Sequence, residues 1–332
     1  LAKKFIKIKP TKAGFIMMKK AHLQPIAVLG AGSWGTALAL HLSRQHQSVR
    51  MWTYDRNDAA AMQTARCNAR YLPGYPFPDS LQVIADLAET VSGVQDILIA
   101  VPSSAFYEVL LQVKPFISSS TRVVWATKGL DAKTGNLLHT VALDALGTQN
   151  AYAVISGPSF AREVAADLPT AVVAASHDTA FAHDLIARFT TARFRVYSST
   201  DIIGVELGGI VKNVLAIATG ISDGMEFGAN ARSALITRGL AEMMRLGIAL
   251  GGQAETFIGL AGLGDLVLTC TDDQSRNRRY GLAIGSGKNL QQAQHEIGQV
   301  VEGKRNAELI IALARKYQVE MPIVEAVWKI LS

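Results

Sequence analysis

The 332-residue sequence predicts an α/β protein in which a doubly wound sheet is followed by an all-helical region. Three observations carry that prediction. A glycine-rich turn follows a short apolar run at 26–35, IAVLGAGSWG; strand-like runs then alternate with helical stretches; and beyond Asp201 the strand pattern gives way to long helical periodicity.

The first element is the apolar run 26–29, which enters a G-x-G-x-x-G turn and a helix-favouring stretch. Gly30 permits the tight turn, Gly32 lets backbone N–H groups approach a pyrophosphate, and Gly35 allows the helix to pack closely. A glycine turn that merely joins strand to helix satisfies the same six residues. The context favours a nucleotide: an amphipathic stretch at 36–45 leads to a second strand at 48–53, and Asp55 lies 20 residues beyond Gly35, where an acid meets the adenosine ribose. The fold class is therefore Rossmann-like in its N-terminal part, with a dinucleotide as the expected cofactor.

Further strands are expected at 96–101, 122–127, 152–156, 171–175 and 194–197. The near-continuous apolar run Ile97-Leu-Ile-Ala-Val101 suits a sheet covered on both faces. Helices are expected at 202–221, 229–250, 304–317 and 322–331. These patterns divide the chain into a basic extension at 1–22, a dinucleotide-binding domain at 23–200 and a helical substrate and catalytic domain at 201–332.

Composition narrows the function classes. Hydrophobic residues make up 49% and charged residues 18%, which suits a globular chain with large cores and excludes a disordered one. No apolar run approaches the roughly 20 residues of a membrane helix, so no stable membrane insertion is expected. The formal charge of +6 includes seven lysines, unbalanced by any acid, within residues 1–22, so −1 remains for residues 23–332. The basic character belongs to a tail, and no nucleic-acid partner is expected. That tail starts at Leu1, carries Met17 and Met18, and fits an upstream extension or cloning remnant better than a signal peptide; a cytoplasmic location is the default. Cys67 and Cys270 lack a C-x-x-C partner and the seven histidines form no H-E-x-x-H pattern, so no metal is assigned.

Ligands of open α/β sheets lie beyond the carboxyl ends of the strands. Val101-Pro-Ser103, Thr127-Lys-Gly129 and Ser156-Gly-Pro-Ser-Phe160 occupy such positions. Lys128 can reach a phosphate or carbonyl oxygen there, although a lysine in a loop is more often simply solvated. Lys212 stands within the apolar stretch 205–218, where burial and a nearby cation both lower an amine pKa toward the range useful for proton transfer. A lysine snorkelling from the helix edge is the alternative. Asn213 is seven residues from Glu206 and four from Gly209, so one helical face can combine a polar network with a narrow groove. Asp265 follows two glycines in Gly262-Leu-Gly-Asp265, and Arg276 in Gln274-Ser-Arg-Asn277 can bind a phosphate with two hydrogen bonds.

Six motifs in this order give the resemblance its specificity: GAGSWG, ATKGL with Lys128, SGPSFA at 156–161, GGIVKNV at 208–214, GLGDL at 262–266 and SRN at 275–277. Together they resemble bacterial NAD(P)-dependent glycerol-3-phosphate dehydrogenases over residues 24–332. The resemblance implies that Lys212 is the proton donor and acceptor. It implies further that Lys128, Gly157, Ser159, Lys212, Asp265, Ser275, Arg276 and Asn277 hold a small phosphorylated substrate. Gly30, Gly32, Ser33, Trp34, Gly35, Tyr54, Lys128, Ala161, Arg276, Val300 and Glu302 match positions that hold the cofactor. Trp34 stands where many relatives carry Phe or Tyr and keeps an aromatic surface.

The implied reaction is reduction of dihydroxyacetone phosphate to sn-glycerol 3-phosphate and its reverse, supplying phospholipid synthesis. Cofactor preference between NAD(H) and NADP(H) is open: Asp55 suits the ribose hydroxyl of NAD, whereas Arg50 or Arg56 suits the extra phosphate of NADP. So is the Lys212 pKa, because Asp265 raises it while burial and Lys128 lower it. A two-domain reductase of hydroxy or keto acids and a noncatalytic nucleotide sensor are rival readings, disfavoured by the lysine and phosphate-binding residues. Apolar helix faces argue only weakly for a homodimer.

Overall fold

The computed structural model describes residues 24–298 and 301–332. Eight strands form one sheet in the order β3-β2-β1-β4-β5-β6-β7-β8. They are β1 (Ile26–Leu29), β2 (Val49–Trp52), β3 (Leu81–Ile84), β4 (Asp96–Ile99), β5 (Arg122–Trp125), β6 (Ala151–Ser156), β7 (Thr170–Ala175) and β8 (Phe194–Ser199). The helices after β1 to β7 are, in turn, α1 (Ser33–Ser43), α2 (Arg56–Ala65), α3 (Leu87–Val91), α4 (Ser103–Val113), α5 (Leu138–Leu146), α6 (Ala161–Ala165) and α7 (Thr179–Phe189).

Alternate strand residues feed two cores. Ile26 and Val28 belong to the cluster that includes residues of α1, α2 and α7, whereas Ala27 and Leu29 belong to the cluster that includes α4 and α5. This is the period-two reading of a sheet covered on both faces. Start signals are local: Asp55, Asp86 and Asp178 accept backbone N–H bonds at the N-termini of α2, α3 and α7, each cap worth about 1 kcal/mol.

Strands β1 to β6 pair in parallel, but β6 pairs with β7 antiparallel, and β8 then runs parallel to β7. The connection explains the reversal. Its helix α6 has five residues, about 7.5 Å, which is short against the roughly 20 Å of a six-residue strand that a parallel crossover would retrace. The cleft rim is thus built by the carboxyl ends of β1, β2, β4, β5 and β6. The edge strand β3 was not expected; its four residues LQVI follow a Pro- and Gly-rich stretch and alternate between buried and partly open positions.

From α8 onward the described chain is helical: α8 (Ile202–Gly224), α9 (Gly228–Ala249), α10 (Ala254–Ile258), a π-helical turn Leu260–Gly264, α11 (Asp265–Thr271), α12 (Arg276–Gly285), α13 (Leu290–Ile297), α14 (Glu302–Lys316) and α15 (Pro322–Leu331). The expectation that no apolar segment reaches membrane-spanning length needs correction. Helix α8 has 23 residues and is long and apolar enough by length and composition, but 94% of its most apolar stretch is buried inside the fold. It is the axis of the helical core, where Val211, Val214, Leu215 and Ile217 pack against Met243, Phe257, Leu266 and Ile310. The basic extension at 1–22 lies outside the described residues.

Candidate active site

The β1–α1 turn has the shape of a phosphate cradle. Gly30 has φ +115°, and a Cβ there would stand 2.7 Å from the carbonyl oxygen of Ala100, while one at Gly35 would stand 1.9 Å from that of Gly30. At Gly32 a Cβ would meet nothing within 4 Å, and no side chain caps α1. The first amides of α1 are therefore left without a side-chain cap beside an open Gly32, with the positive end of the helix behind them, which fits a pyrophosphate. Ser33 Oγ donates to the Tyr71 carbonyl at 2.7 Å, and Trp34 Nε1 is buried with no hydrogen-bond partner among the described residues.

Beyond the carboxyl end of β2, Tyr54 is 82% exposed, and Asp55 Oδ1 accepts from the amides of Asn57 and Asp58. Asp55 thus caps α2 at the place where it was expected to meet a ribose. Arg50 donates to the carbonyls of Glu89 and Ser92 at 3.1 and 2.6 Å, so its guanidinium is committed to the end of α3. Arg56, exposed in the first turn of α2, is the remaining candidate for a 2′-phosphate.

A buried charge cluster forms where the loop after β5 meets α8 and α11. Asp265, with no exposure, accepts from Lys128 Nζ on Oδ2 at 2.7 Å and from Lys212 Nζ on Oδ1. Glycines make the approach possible: a Cβ at Gly208 would stand 2.2 Å from the carbonyl oxygen of Ala261 in the π-helical turn, and one at Gly209 3.0 Å from Ser156 Oγ. Lys128 Nζ also donates to the Gly157 carbonyl at 3.4 Å, which Ser159 Oγ shares at 3.0 Å. Gly157 has φ +147°, and a Cβ there would meet Val172 Cα at 2.9 Å, so the turn after β6 admits no side chain.

The structure decides the lysine balance. Burial lowers the Lys212 pKa most, Asp265 pulls it up, Lys128 pushes it down, and it comes to about 8. An amine at that value exchanges protons near neutrality.

A second polar network adjoins the first. Asn277 Nδ2 donates to Asn213 Oδ1 at 3.0 Å, Asn213 Nδ2 donates to Glu302 Oε2 at 3.3 Å, and the Gly303 amide donates to Asn277 Oδ1 at 2.9 Å. Burial raises the Glu302 pKa against the pull of Arg276, Lys128 and Lys212, which places all four charges in one field. Ser275 caps α12, with Arg276 and Asn277 as its first residues. Ala161 opens α6 against the core that α1 shares.

Of the expected site residues, Lys128, Gly157, Ser159, Lys212 and Asp265 are joined by the first set of contacts and Asn277 and Glu302 by the second, with Ser275 and Arg276 beside Asn277 at the head of α12. Gly30, Gly32, Ser33, Trp34 and Gly35 form the cradle; Val300 lies outside the described residues. One expectation fails: Glu206 does not share the Asn213 network, because its carboxylate accepts from Trp125 and His139 instead. Seven residues bring two positions to one helical face, but α8 passes different neighbours at each end.

Two polar atoms near this centre are buried with no partner among the described residues: Ser156 Oγ, in the expected turn after β6, and Asn306 Nδ2, which the sequence analysis did not single out. Asn306 lies one helical turn beyond Glu302, a spacing the sequence offers without saying that this face meets Gly129.

Comparison with known proteins agrees with this architecture. The description "NAD-dependent glycerol-3-phosphate dehydrogenase N-terminus" matches residues 25–182, and the corresponding C-terminus description matches residues 201–332. Glycerol-3-phosphate dehydrogenase [NAD(P)+] of Tolumonas auensis is 56% identical over 307 residues, 92% of each chain. The crystal structure of the Coxiella burnetii glycerol-3-phosphate dehydrogenase superposes with a TM-score of 0.91 at 57% identity, covering 94% of this chain and 95% of that one. The Saccharomyces cerevisiae enzyme gives 0.81 at 26% identity, covering 94% and 96%. With both halves matched in order and more than half of the residues shared with bacterial relatives, the chain belongs to the NAD-dependent glycerol-3-phosphate dehydrogenase family.

Proposed function

We propose that Lys212 exchanges the proton in the reaction of this family, the NAD(P)H-dependent reduction of dihydroxyacetone phosphate to sn-glycerol 3-phosphate and the reverse oxidation. That activity makes the chain an oxidoreductase acting on a CH–OH group, supplying the glycerol phosphate backbone for phospholipid synthesis. The observation that carries the residue assignment is a single buried carboxylate, Asp265, shared by two ammonium groups, one of them on the lysine that follows β5.

When bound, the reduced nicotinamide supplies hydride to the ketone carbon. Protonated Lys212 gives its proton to the oxygen of that carbon, and in the reverse direction the neutral amine takes the proton back. Asp265 holds Lys212 in place, and Lys128 disfavours a second positive charge beside it, which eases proton release. Arg276, with Ser275 and Asn277 at the head of α12, binds the substrate phosphate, assisted by Lys128, Gly157 and Ser159. Binding energy at the phosphate thus orients the remote ketone. The cofactor is held by Gly30, Gly32, Ser33, Trp34, Gly35, Tyr54, Lys128, Ala161, Arg276, Val300 and Glu302.

The reading extends to residues 23–200 as a cofactor domain and 201–332 as a substrate and catalytic domain, to a cytoplasmic location and to a homodimer; sedimentation of the purified chain tests the last. The activity itself is tested by following NADH and NADPH oxidation with dihydroxyacetone phosphate beside keto-acid controls. Turnover with the phosphorylated ketone alone is expected. Nucleotide binding without turnover would make the chain a sensor, and turnover of keto acids alone would reassign the substrate.

A further inference from the structure

Glu206 is a buried charged side chain of α8 to which the chemistry above gives no task. Its carboxylate is 5% exposed at residue level and accepts three hydrogen bonds. Trp125 Nε1 and the His139 amide both donate to Oε1 at 3.0 Å, and His139 Nδ1 meets Oε2 at 2.6 Å. Burying a carboxylate is costly, and three converging donors offset that cost only in one arrangement.

The donors and the acceptor belong to different parts of the fold. Trp125 ends β5, three residues before Lys128, and His139 lies in the first turn of α5; Glu206 lies on α8, six residues before Lys212. Trp125 has no exposure and packs edge-on to Phe106 with ring centroids 5.8 Å apart, so the indole donor is fixed. Ile202 and Val205, in the first turn of α8, share the apolar cluster of Trp125 and Phe106. Apolar contact alone lets a helix slide, because it is not directional. A slip of one residue is about 1.5 Å along the axis, enough to carry Lys212 off Asp265. Hydrogen bonds, which weaken steeply with angle, stop such a slip.

We propose that Glu206 is a positioning residue: gripped by Trp125 and His139, it sets the height of α8 along β5 and so the meeting of Lys212 with Lys128 on Asp265. The inference rests on the proposed roles of those lysines. It extends them by naming what aligns the two strands of the machinery, one from the sheet and one from the helices.

The test uses the full chain with Glu206→Gln, which keeps the size but loses acceptor capacity, and Trp125→Phe, which removes one donor. Leu246→Ala, a substitution in the helical core, serves as the destabilised control. Glu206→Gln is expected to lower kcat about ten- to a hundredfold while NADH affinity, read by fluorescence titration, stays within about threefold. The apparent pKa of the kcat profile should fall by about half a unit or more, because a longer Lys212–Asp265 separation weakens the pull that opposes burial. Trp125→Phe should shift both in the same direction by less.

If Glu206→Gln loses no more kcat than Leu246→Ala at matched loss of Tm, with an unmoved pH profile, the residue is merely structural and the proposal falls. Should Glu206→Gln fail to fold, Trp125→Phe decides by the same two readouts. Titration of carbon-13-labelled lysine in the native chain and the variants reads the Lys212 pKa without turnover. A chain inactive on dihydroxyacetone phosphate whose Lys212 titration still shifts in the variants would overturn the functional reading and keep the positioning one; an unshifted titration would overturn the latter.

Discussion

Asp96 and Asp265 are both wholly buried carboxylates, and each accepts from two cations. At Asp96, which begins β4, the cations are Arg122 at 2.6 Å and Arg188 at 3.0 Å; at Asp265, facing the carboxyl ends of the strands, they are Lys128 and Lys212. The stoichiometry is the same and the chemistry is not. Guanidinium groups keep their charge throughout the physiological range and bind in a fixed planar fork, so the Asp96 cluster ties β4, β5 and α7 together permanently. Arg122 also reaches Asp184, and Arg188 also holds Gln47 and the Gln24 carbonyl. A primary amine gives up its proton when burial works against the charge, and Lys212 comes to about 8 for that reason. Replacing guanidinium by ammonium around a buried carboxylate turns a permanent tie into one in which a cation can lose its proton near neutrality.

Lys212→Ala gives the largest break in this comparison: turnover should fall about 10³-fold or more while NADH affinity, read by fluorescence titration, is nearly unchanged. Asp96→Ala should do the reverse. It leaves Arg188 buried without its carboxylate, so denaturant unfolding should show a loss of about 3–5 kcal/mol, whereas kcat per folded molecule is retained. An Asp96→Ala enzyme with normal stability and impaired kcat would merge the two clusters into one functional class.

Asp265→Asn sharpens the contrast by leaving both ammonium groups in place. Turnover should fall about 10²-fold, and because Asp265 raises the Lys212 pKa, its loss should move the titration below about 8. The sign matters: reduction needs protonated Lys212, so its rate is full below the pKa and declines as pH rises through it. In the native chain, reduction at saturating substrate should decline about tenfold per pH unit above about 8, whereas the oxidation, which needs the neutral amine, should rise about tenfold per unit below about 8 and level off above it. A flat profile from pH 7 to 10 would separate Lys212 from the proton. The smallest effect is expected of Arg276→Lys, which should raise KM for dihydroxyacetone phosphate about tenfold with little change in kcat.

Much of the site was legible because its signals are local. The glycines of the cradle and the turn residues after β4, β5 and β6 follow their strands immediately, and the topology fixes which way strand ends point. The helices expected at 202–221, 229–250, 304–317 and 322–331 begin within two residues of those positions, since apolar periodicity repeats every turn. Contacts over long separations are carried by no local signal: that Asp265 and Lys128 stand beside Lys212 was expected from the ordered motifs and their family resemblance, not from spacing. The carboxylate of Asp265 serves residues 137 and 53 positions away. Asp55 has the right spacing for a ribose, yet its nearest partners are the amides of its own helix. Glu206 and Asn213 share a face of α8 but serve separate networks, because one end of that helix is embedded in the sheet-side core and the rest in the helical core.

What the sequence by itself determined is the inventory and its order: a nucleotide cradle, a lysine at the end of a strand, a second lysine in an apolar helix and an arginine at a helix start. Periodicity, glycine placement and caps depend on neighbours within a few residues, and a linear text contains them. Only the tertiary structure decided that one carboxylate holds both lysines, that burial outweighs that carboxylate in setting the Lys212 pKa, and that the last two strands run backwards. Each of those outcomes is a balance of charge, desolvation and chain length between segments far apart in sequence, and such balances exist only once the segments have been packed together.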